Sequence, residues 1–519
     1  MRAEFKRVNP KRSRSPDSNN TFQFKISNKF IDLHQRKIMP KFFTIFKKFP
    51  STFWIANIME LFERWAWYGM FMLFALYLTG STDTGALGFS QAQKGIMMGS
   101  VVGFLYFLPV ITGAIADRVG YKKILIIAYL LLAGAYFLLG RVSSYELVFA
   151  VFIMLALGAA LFKPIISACI AKTTDDETSS MGFGIFYMIV NIGAFIGPIV
   201  ASLARQSGWV NVFNISAGVI LFNLVLVLLF FKEPEREVVK TGFGAEVKKI
   251  FSNIIEALKD KKFVIFLLII VGFWTMYNQL FYTLPVFIDQ WMDTSIVYDN
   301  IYKIWPWLAE TIGTSEKTIA AEMLTNIDAM YIIMFQLIVS FFVMRLKPIH
   351  SMISGFLVST IGLSLTFLTN NPMFLFISIF IFGIGEMASS PKITEYIGKI
   401  APPGKTALYM GCSFLPMAAG NFFAGLLSGN VYQKYSDKIT LLQTEVEKRG
   451  LNITEISDTF SQTEYINRAE ELLNLHGYDL TLYLWNNYQP YNIWMIFAAI
   501  GGTTVIAMIL FNWLVVGRK

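Results

Sequence analysis

Twelve apolar stretches, most of them about twenty residues or longer, alternate with polar segments along this chain of 519 residues. About twenty consecutive apolar residues are enough for a helix to cross the hydrocarbon core of a bilayer. The stretches cover residues 53–79, 93–115, 122–140, 146–171, 183–206, 208–231, 263–290, 327–345, 348–368, 372–399, 405–433 and 491–516. The pattern predicts an all-α membrane protein with twelve transmembrane helices.

The stretches fall into two groups of six, which predicts a transporter built from two parallel halves. We assign residues 53–231 to the first half and 263–519 to the second, joined by a charged linker at 232–262. A basic tail covers 1–52, and two long loops of the second half cover 291–326 and 434–490. Within the second loop, Glu464 to Leu475 is amphipathic and predicted to be helical.

Charge predicts the orientation of these helices. The net charge is +9, and residues 1–50 hold 13 Lys and Arg against 3 Asp and Glu. Loop residues on the same predicted side are also basic, namely Arg118, Lys122, Lys123, Arg345, Lys347, Arg518 and Lys519. Both termini are therefore predicted to be cytoplasmic, in a plasma (inner) membrane. The 434–490 loop, with nine acidic and five basic residues, is predicted to lie outside.

The tail carries no pattern of a cleaved signal peptide, and the sequence leaves open whether Met1 or Met39 is the start. Because a membrane span follows the tail at once, its basic residues favour contact with the lipid bilayer over nucleic acid.

Residue types common in metal sites and active sites are scarce in the membrane stretches. Cys169 and Cys412 lie in separate spans, and His34, His350 and His476 all lie outside them. This favours neither a disulfide framework nor a metal site, and it leaves proton chemistry to carboxylates. No Gly-rich phosphate loop ending in Lys-Ser/Thr occurs, so ATP-driven pumping is not supported. We expect no catalytic residues, no metal and no cofactor.

The first stretch contains the charged segment Glu60-Leu61-Phe62-Glu63-Arg64, followed by Trp67 and Tyr68. Spacings of three and four place Glu60, Glu63 and Arg64 on one broad helix face. Charged groups at this depth mark a working site unless they form a purely structural ion pair. We favour the working site, because one basic residue for two acids leaves a carboxyl group able to hold a proton.

The segment from Gly113 to Lys123 joins the second and third stretches, and it resembles the signature loop of the major facilitator superfamily. Its glycines Gly113 and Gly120 flank Asp117 and Arg118. The resemblance implies the major facilitator fold and a gating role for these four residues. Asp117 is expected to cap or pair with a neighbouring helix, and Gly113 to permit close approach.

Several further motifs resemble the proton-dependent oligopeptide transporter family, over residues 53–516. They are Glu60-x-x-Glu63-Arg64 with Tyr68-Gly69, Gly158 to Pro164, Phe186 to Gly193 with Gly197-Pro198, Gly385-Glu386 with Ser390-Pro391, and Met410 to Gly425. In that family the matching positions couple protons and bind a substrate carboxylate. Carried over, proton coupling falls to Glu60, Glu63, Arg64 and Lys163.

The same resemblance implies a set of substrate-binding residues. Arg64 and Lys163 would bind the substrate carboxylate, and Glu386 its amino group. Tyr68, Tyr106, Asn191 and Asn278 would line the pocket. Asp328 stands where the family often has asparagine, and it either meets a substrate amine or marks the outer membrane interface. For Lys163 and Glu386 the structural alternatives are a snorkelling lysine and a helix–helix hydrogen bond.

The chain also departs from the family. Phe71 stands where an arginine is common, and Asn278 stands where a glutamate is common. In the family, those two charged residues are expected to pair as a gate. In this chain, packing and hydrogen bonds would hold the gate instead. The linker is also too short for the two extra helices of bacterial members. These departures leave the substrate open.

The resemblance implies a transporter that uses a proton gradient to import small peptides or peptide-like solutes by alternating access, acting as a monomer. One alternative keeps the fold and changes the cargo to another small organic solute, imported or exported. A membrane enzyme or a receptor-like sensor is the alternative from another class.

Overall fold

Helices make up most of the chain in the computed structural model, which describes residues 46–175, 178–234, 243–367, 369–403, 405–457 and 459–516. Within these ranges the only β structure is two isolated bridges. Residues Pro50–Lys519 form one unit, and that unit is described below. The predictions made for residues 1–45, Arg518 and Lys519 lie outside the described residues.

The first half contains the helices α1 (Ser51–Thr79), α2 (Gln91–Phe107), α3 (Pro109–Val119), α4 (Tyr121–Leu139), α5 (Tyr145–Lys172), α6 (Ser179–Arg205) and α7 (Trp209–Leu229). The linker contributes α8 (Phe243–Leu258). A 3₁₀ turn at Thr82–Thr84 lies between α1 and α2.

The second half contains α9 (Lys261–Tyr277), α10 (Gln279–Tyr282), α11 (Leu284–Trp291), α12 (Ser295–Ile304), α13 (Pro306–Ile312), α14 (Ala321–Thr325), α15 (Ile327–Val343), α16 (Pro348–Ser364), α17 (Met373–Ile400), α18 (Thr406–Gly411), α19 (Phe414–Leu426), α20 (Tyr432–Tyr435), α21 (Lys438–Lys448), α22 (Gln462–Leu473), α23 (Tyr478–Tyr488) and α24 (Asn492–Phe511). A 3₁₀ turn at Leu365–Phe367 and π turns at Leu427–Val431 and Asn512–Val516 complete it.

Membrane-length helices match the predicted stretches. Within the described residues, nine helices are long and apolar enough to cross a bilayer, and the bent pair α2–α3 makes a tenth span. Helix α1, with its three charged residues, and α16, with only 17 residues, occupy the remaining two of the twelve predicted stretches. The chain is a multi-pass, all-α membrane protein.

Two spans predicted as continuous are broken. The second bends by 50° where Pro109 begins α3, because proline has no N–H for the preceding turn and suits the first position of a new helix. The seventh is interrupted at Asn278 and Thr283.

The polar connections contain more helix than the sequence analysis assigned. The linker, predicted only as a charged stretch, contains α8, from which Glu256 pairs with Lys405 at 2.6 Å. The predicted helix in the 434–490 loop is confirmed as α22, which starts with a capping box between Ser461 and Glu464.

Small residues let α1 and α6 approach closely. A Cβ atom added to Gly193 would lie 2.9 Å from Arg64 Cβ, and one added to Gly197 would lie 2.9 Å from the backbone nitrogen of Gly69. Both distances are too short for a side chain, so only glycine fits. The packing fixes the face of α1 that carries Glu60, Glu63 and Arg64.

The two halves are joined at the end of the bundle that carries the 291–326 and 434–490 loops, here called the loop end. Gln91 Nε2 donates to Asp437 Oδ1 at 3.1 Å, and the Ala92 backbone N–H donates to Gln433 Oε1 at 2.9 Å. Gln206 Nε2 donates to the Gly313 carbonyl at 3.1 Å. Because these hydrogen bonds hold the first half against the second at the loop end, the transporter is closed on that side.

We predict that Gly197→Val destabilises the protein by roughly 1–3 kcal/mol, because the new side chain overpacks the α1–α6 contact. Thermal unfolding of purified protein in detergent measures the effect as a lower Tm. Gly218→Val is the matched control, since a Cβ at Gly218 meets nothing within 4 Å. An equal change in Tm for both variants would contradict the assignment.

Candidate functional site

Glu60, Glu63 and Arg64 form a buried charge cluster on α1. Arg64 Nε donates to Glu63 Oε2 at 2.6 Å, and Arg64 Nη2 makes an ion pair with the same oxygen. Arg64 Nε also lies 3.4 Å from Glu60 Oε1. The three side chains are only 1–7% exposed. Glu63 Oε1 is buried and has no hydrogen-bond partner among the described residues, so the cluster keeps one carboxylate oxygen free.

Lys163 lies near this cluster but is not bound to it. Its Nζ lies 4.7 Å from the centre of the Tyr106 ring, an arrangement typical of a cation–π contact. It influences Glu60 electrostatically, but no ion pair between them is recorded among the described residues. Lys163 thus contacts Tyr106, and the predicted clustering of Lys163 with Glu60, Glu63 and Arg64 is limited to this electrostatic influence.

Sequence reasoning missed two buried tyrosines on α4. Tyr129 and Tyr136 are fully buried, both interact electrostatically with Glu63, and neither hydroxyl has a partner in the described structure. Their spacing of seven places them on one face of a helix. That spacing was a usable signal for a shared buried face.

Glu386 and Asp328 form a second cluster, in the other half. Tyr277 donates from its hydroxyl to Glu386 Oε1 at 2.8 Å. Asp328 packs against the same helix one turn before Glu386, because a Cβ added to Gly383 would lie 3.0 Å from Asp328 Oδ1. A role of Asp328 in binding a substrate amine stays a prediction. Tyr277 was not predicted as a site residue.

Tyr68 lies between the two clusters. Its ring centre is 6.0 Å from Arg64 Cζ, and the hydroxyl interacts electrostatically with Tyr106 and with Glu386. The residues predicted on the first, second and tenth spans are thus brought around one region at the junction of the halves.

The two predicted amide residues are occupied within their own helices. Asn191 Nδ2 donates to the Tyr187 carbonyl, and Asn278 Nδ2 donates to the Trp274 carbonyl, both at 2.8 Å. Asn278 is buried and Asn191 is partly exposed. Each uses one amide hydrogen in this way, and a substrate-binding role for either stays a prediction.

The predicted gating loop combines a glycine at positive φ with a side-chain hydrogen bond. Gly120 has φ +117°, a conformation that favours glycine. Asp117 Oδ1 accepts from the Tyr121 hydroxyl at 2.7 Å, and Arg118 lies in the last turn of α3. The expected need for close approach at Gly113 is wrong, because a Cβ there would make ordinary contact at 3.6 Å with Pro164.

The position that lacks the family's arginine is filled by aromatic packing. Phe71 stacks on Trp67 with ring centres 5.2 Å apart, and it contacts Phe281 and Tyr282 across the halves at 6.3 and 6.0 Å. Aromatic packing is present at this position, and a gating role for it stays a prediction. Among the described residues, the recorded side-chain hydrogen bond of Asn278 is the one within its own helix.

An ion pair that the sequence analysis missed joins the halves at the loop end. Arg205 Nη1 lies 3.1 Å from Glu322 Oε2, and Ser202 Oγ donates to Glu322 Oε1 at 2.8 Å. The Glu322 side chain is fully buried, whereas that of Arg205 is 29% exposed. Nothing in the local sequence indicated the pairing, because the two residues are 117 positions apart.

The sequence profile of the Major Facilitator Superfamily matches residues 53–298 and 290–440. The chain belongs to the Major Facilitator Superfamily. This match confirms the predicted facilitator fold and shows that the protein is a transporter and not an enzyme.

Relatives of this facilitator are dipeptide and tripeptide permeases. It is 28% identical over 242 residues to dipeptide and tripeptide permease A of Serratia proteamaculans, an alignment that covers 45% of each chain. It is 24% identical over 391 residues to permease B of Salmonella typhimurium, covering 72% of this chain and 73% of that one. The chain thus spans less than half of the first of these relatives.

A solved structure of the peptide transporter POT in complex with sulfate has the same fold. The TM-score is 0.67 at 18% identity, with 90% of this chain and 95% of that chain covered. At this identity the likeness shows the shared fold.

We predict that Glu322→Gln weakens closure of the loop end by about 1.5–3 kcal/mol, the usual contribution of a hydrogen bond to a charged group. Spin labels at Thr84→Cys and Glu310→Cys would report the distance between the halves there. Both native cysteines are buried, so labelling is selective. We expect a larger population at long distance.

The matched control is Arg468→Gln, which removes an ion pair between exposed side chains on α22. Exposed pairs contribute little, so its distance distribution should equal that of the parent. An unchanged distribution in Glu322→Gln would show that this ion pair does not hold the loop end closed.

Proposed function

We propose that this facilitator is a proton-coupled symporter that imports small peptides or peptide-like zwitterions by alternating access. The observation that carries the proposal is the placement of opposite charges in the two halves. Arg64 and Lys163 belong to the first half, Glu386 and Asp328 to the second, and Tyr68 interacts with both Arg64 and Glu386. A zwitterion bound between them would join the halves through its own two charges.

Coupling follows from the free oxygen of Glu63. When both acids are ionised, their two negative charges balance the two positive charges of Arg64 and Lys163. When Glu63 holds a proton, one of these positive charges is left to bind a substrate carboxylate, so proton binding and anion binding support each other. Lys163, held over Tyr106, would be a second cation for the same carboxylate.

The proposal includes the membrane and the orientation. We place the protein in the plasma (inner) membrane with both termini cytoplasmic, so that the loop end faces outward and the closed loop end corresponds to an inward-facing state. The energy source is the proton gradient, with no cofactor, and the functional unit is the monomer.

Changed cargo is the second candidate. Phe71 and Asn278 in place of the family's charged residues, and Asp328 in place of asparagine, favour a solute other than an ordinary peptide, such as a drug or an amino-acid conjugate. A receptor-like sensor would bind its ligand saturably without moving it.

Uptake of labelled dialanine into proteoliposomes, with and without an imposed inward proton gradient, tests the proposal. We expect the gradient to stimulate uptake, and other dipeptides to compete while free alanine does not. Absence of uptake by folded protein would reject peptide transport and favour changed cargo.

We predict that Glu63→Gln loses gradient-driven accumulation, by about 5- to 150-fold as is typical of coupling between two ligands. Counterflow exchange of dialanine should persist, because exchange needs no net proton movement. Both activities are measured in the same proteoliposomes. Equal loss of accumulation and exchange would contradict a coupling role for Glu63.

A further inference from the structure

Asp328 and Glu386 form a pair of carboxyl groups without a cation. Asp328 lies in the first turn of α15, is 4% exposed and interacts electrostatically with Glu386 on α17. Gly383 provides the space, since a Cβ there would lie 3.0 Å from Asp328 Oδ1. Asp328 Oδ1 and Glu386 Oε2 are both buried, and neither has a donor among the described residues.

The groups that face this pair are hydroxyls. Tyr277 on α9 donates to the other Glu386 oxygen at 2.8 Å, and Tyr68 on α1 and Tyr187 on α6 interact with Glu386 at longer range. Within the described chain, no Lys, Arg or His is recorded in an ion pair with either acid. Phenol hydroxyls donate hydrogen bonds but do not compensate a net charge.

Two ionised carboxylates close together repel strongly inside a membrane protein, and ionised carboxylates are acceptors only. A proton shared by Asp328 and Glu386 would remove one of the two charges and supply the missing donor. The two oxygens without donors are where such a proton would lie.

We propose that Asp328 and Glu386 share one proton when the site is empty and exchange it for the ammonium group of the substrate. The proposal rests on the proposed function, which supplies a substrate with an amino group. On exchange, the carboxyl O–H proton leaves to water and the ammonium N–H groups donate to both carboxylates. Two carboxylates with one shared proton have a net charge of −1, and two ionised carboxylates with one bound ammonium group also have a net charge of −1. The exchange therefore adds no net charge to the buried site.

The pair is thus a second proton site, separate from Glu63 and opposite in effect. A proton on Glu63 assists substrate binding, whereas the shared proton competes with the substrate amine. Substrates that carry a free amino group release this proton, and substrates whose amine is blocked leave it in place. The two acids therefore select for substrates that carry a free amino group.

Infrared difference spectroscopy of the full chain in lipid vesicles, without substrate and over a range of pH, tests the shared proton. We expect the C=O band of a protonated carboxyl group, which disappears as the pH rises. In both Asp328→Asn and Glu386→Gln the midpoint pH of this titration should be at least one unit lower than in the wild type, which is a tenfold lower proton affinity. The matched control is Glu395→Gln, on the same helix, where Lys392 and Lys399 already pair with the acid at 2.7 and 2.5 Å. A wild-type spectrum without the band, or unshifted variants, would overturn the shared proton.

Isothermal titration calorimetry in buffers of different ionisation enthalpy tests the exchange. Binding of dialanine should release about one proton more than binding of N-acetyl-dialanine, and Asp328→Asn should abolish the difference. Equal proton counts for both peptides in the wild type would overturn the exchange. Failure of the proposed function is distinguishable, because it would appear as absent dialanine uptake while the infrared band and its response to Asp328→Asn remain.

Discussion

A charge inside a bilayer-spanning helix must be compensated within the protein, and this constraint governs the structure around α1. Arg64 is held by Glu63 and Glu60 on its own helix, so the cluster does not depend on a partner in the other half. The cluster can therefore stay buried while the halves move. One oxygen of Glu63, Oε1, has no hydrogen-bond partner among the described residues. A proton bound there would change the charge balance of the cluster.

Close packing of α1 against α6 sets the direction in which this cluster points. Gly193 and Gly197 let the α6 backbone approach Arg64 and Gly69 more closely than any side chain would allow. Van der Waals packing is the main attraction between helices in lipid, because lipid chains are as apolar as the helix surfaces. Glycine at these positions thus couples the stability of the first half to the orientation of its charged residues.

Closure at the loop end combines two kinds of contact. Phe71 provides aromatic packing at a position where the resembled family often has an arginine. Arg205 on α6 and Glu322 on α14 form an ion pair between the halves. The aromatic contact tolerates small movements, whereas the ion pair requires defined geometry. Alternating access in this chain would need both to separate on the same side.

Much of the fold was predictable from the chain alone. The length of the apolar stretches, Glu60, Glu63 and Arg64 at helical spacing, and the glycine of the α3–α4 loop are properties of neighbouring residues, and lipid imposes helix on such segments. Pairings between distant residues were not predictable: Arg205 with Glu322, Asp328 with Glu386 and Tyr277, and Tyr129 and Tyr136 beside Glu63. They arise where helices far apart in sequence meet, so only the tertiary structure decides them. The sequence by itself determined which residues carry charge into the membrane, and the packing of the helices decided which of those charges are compensated.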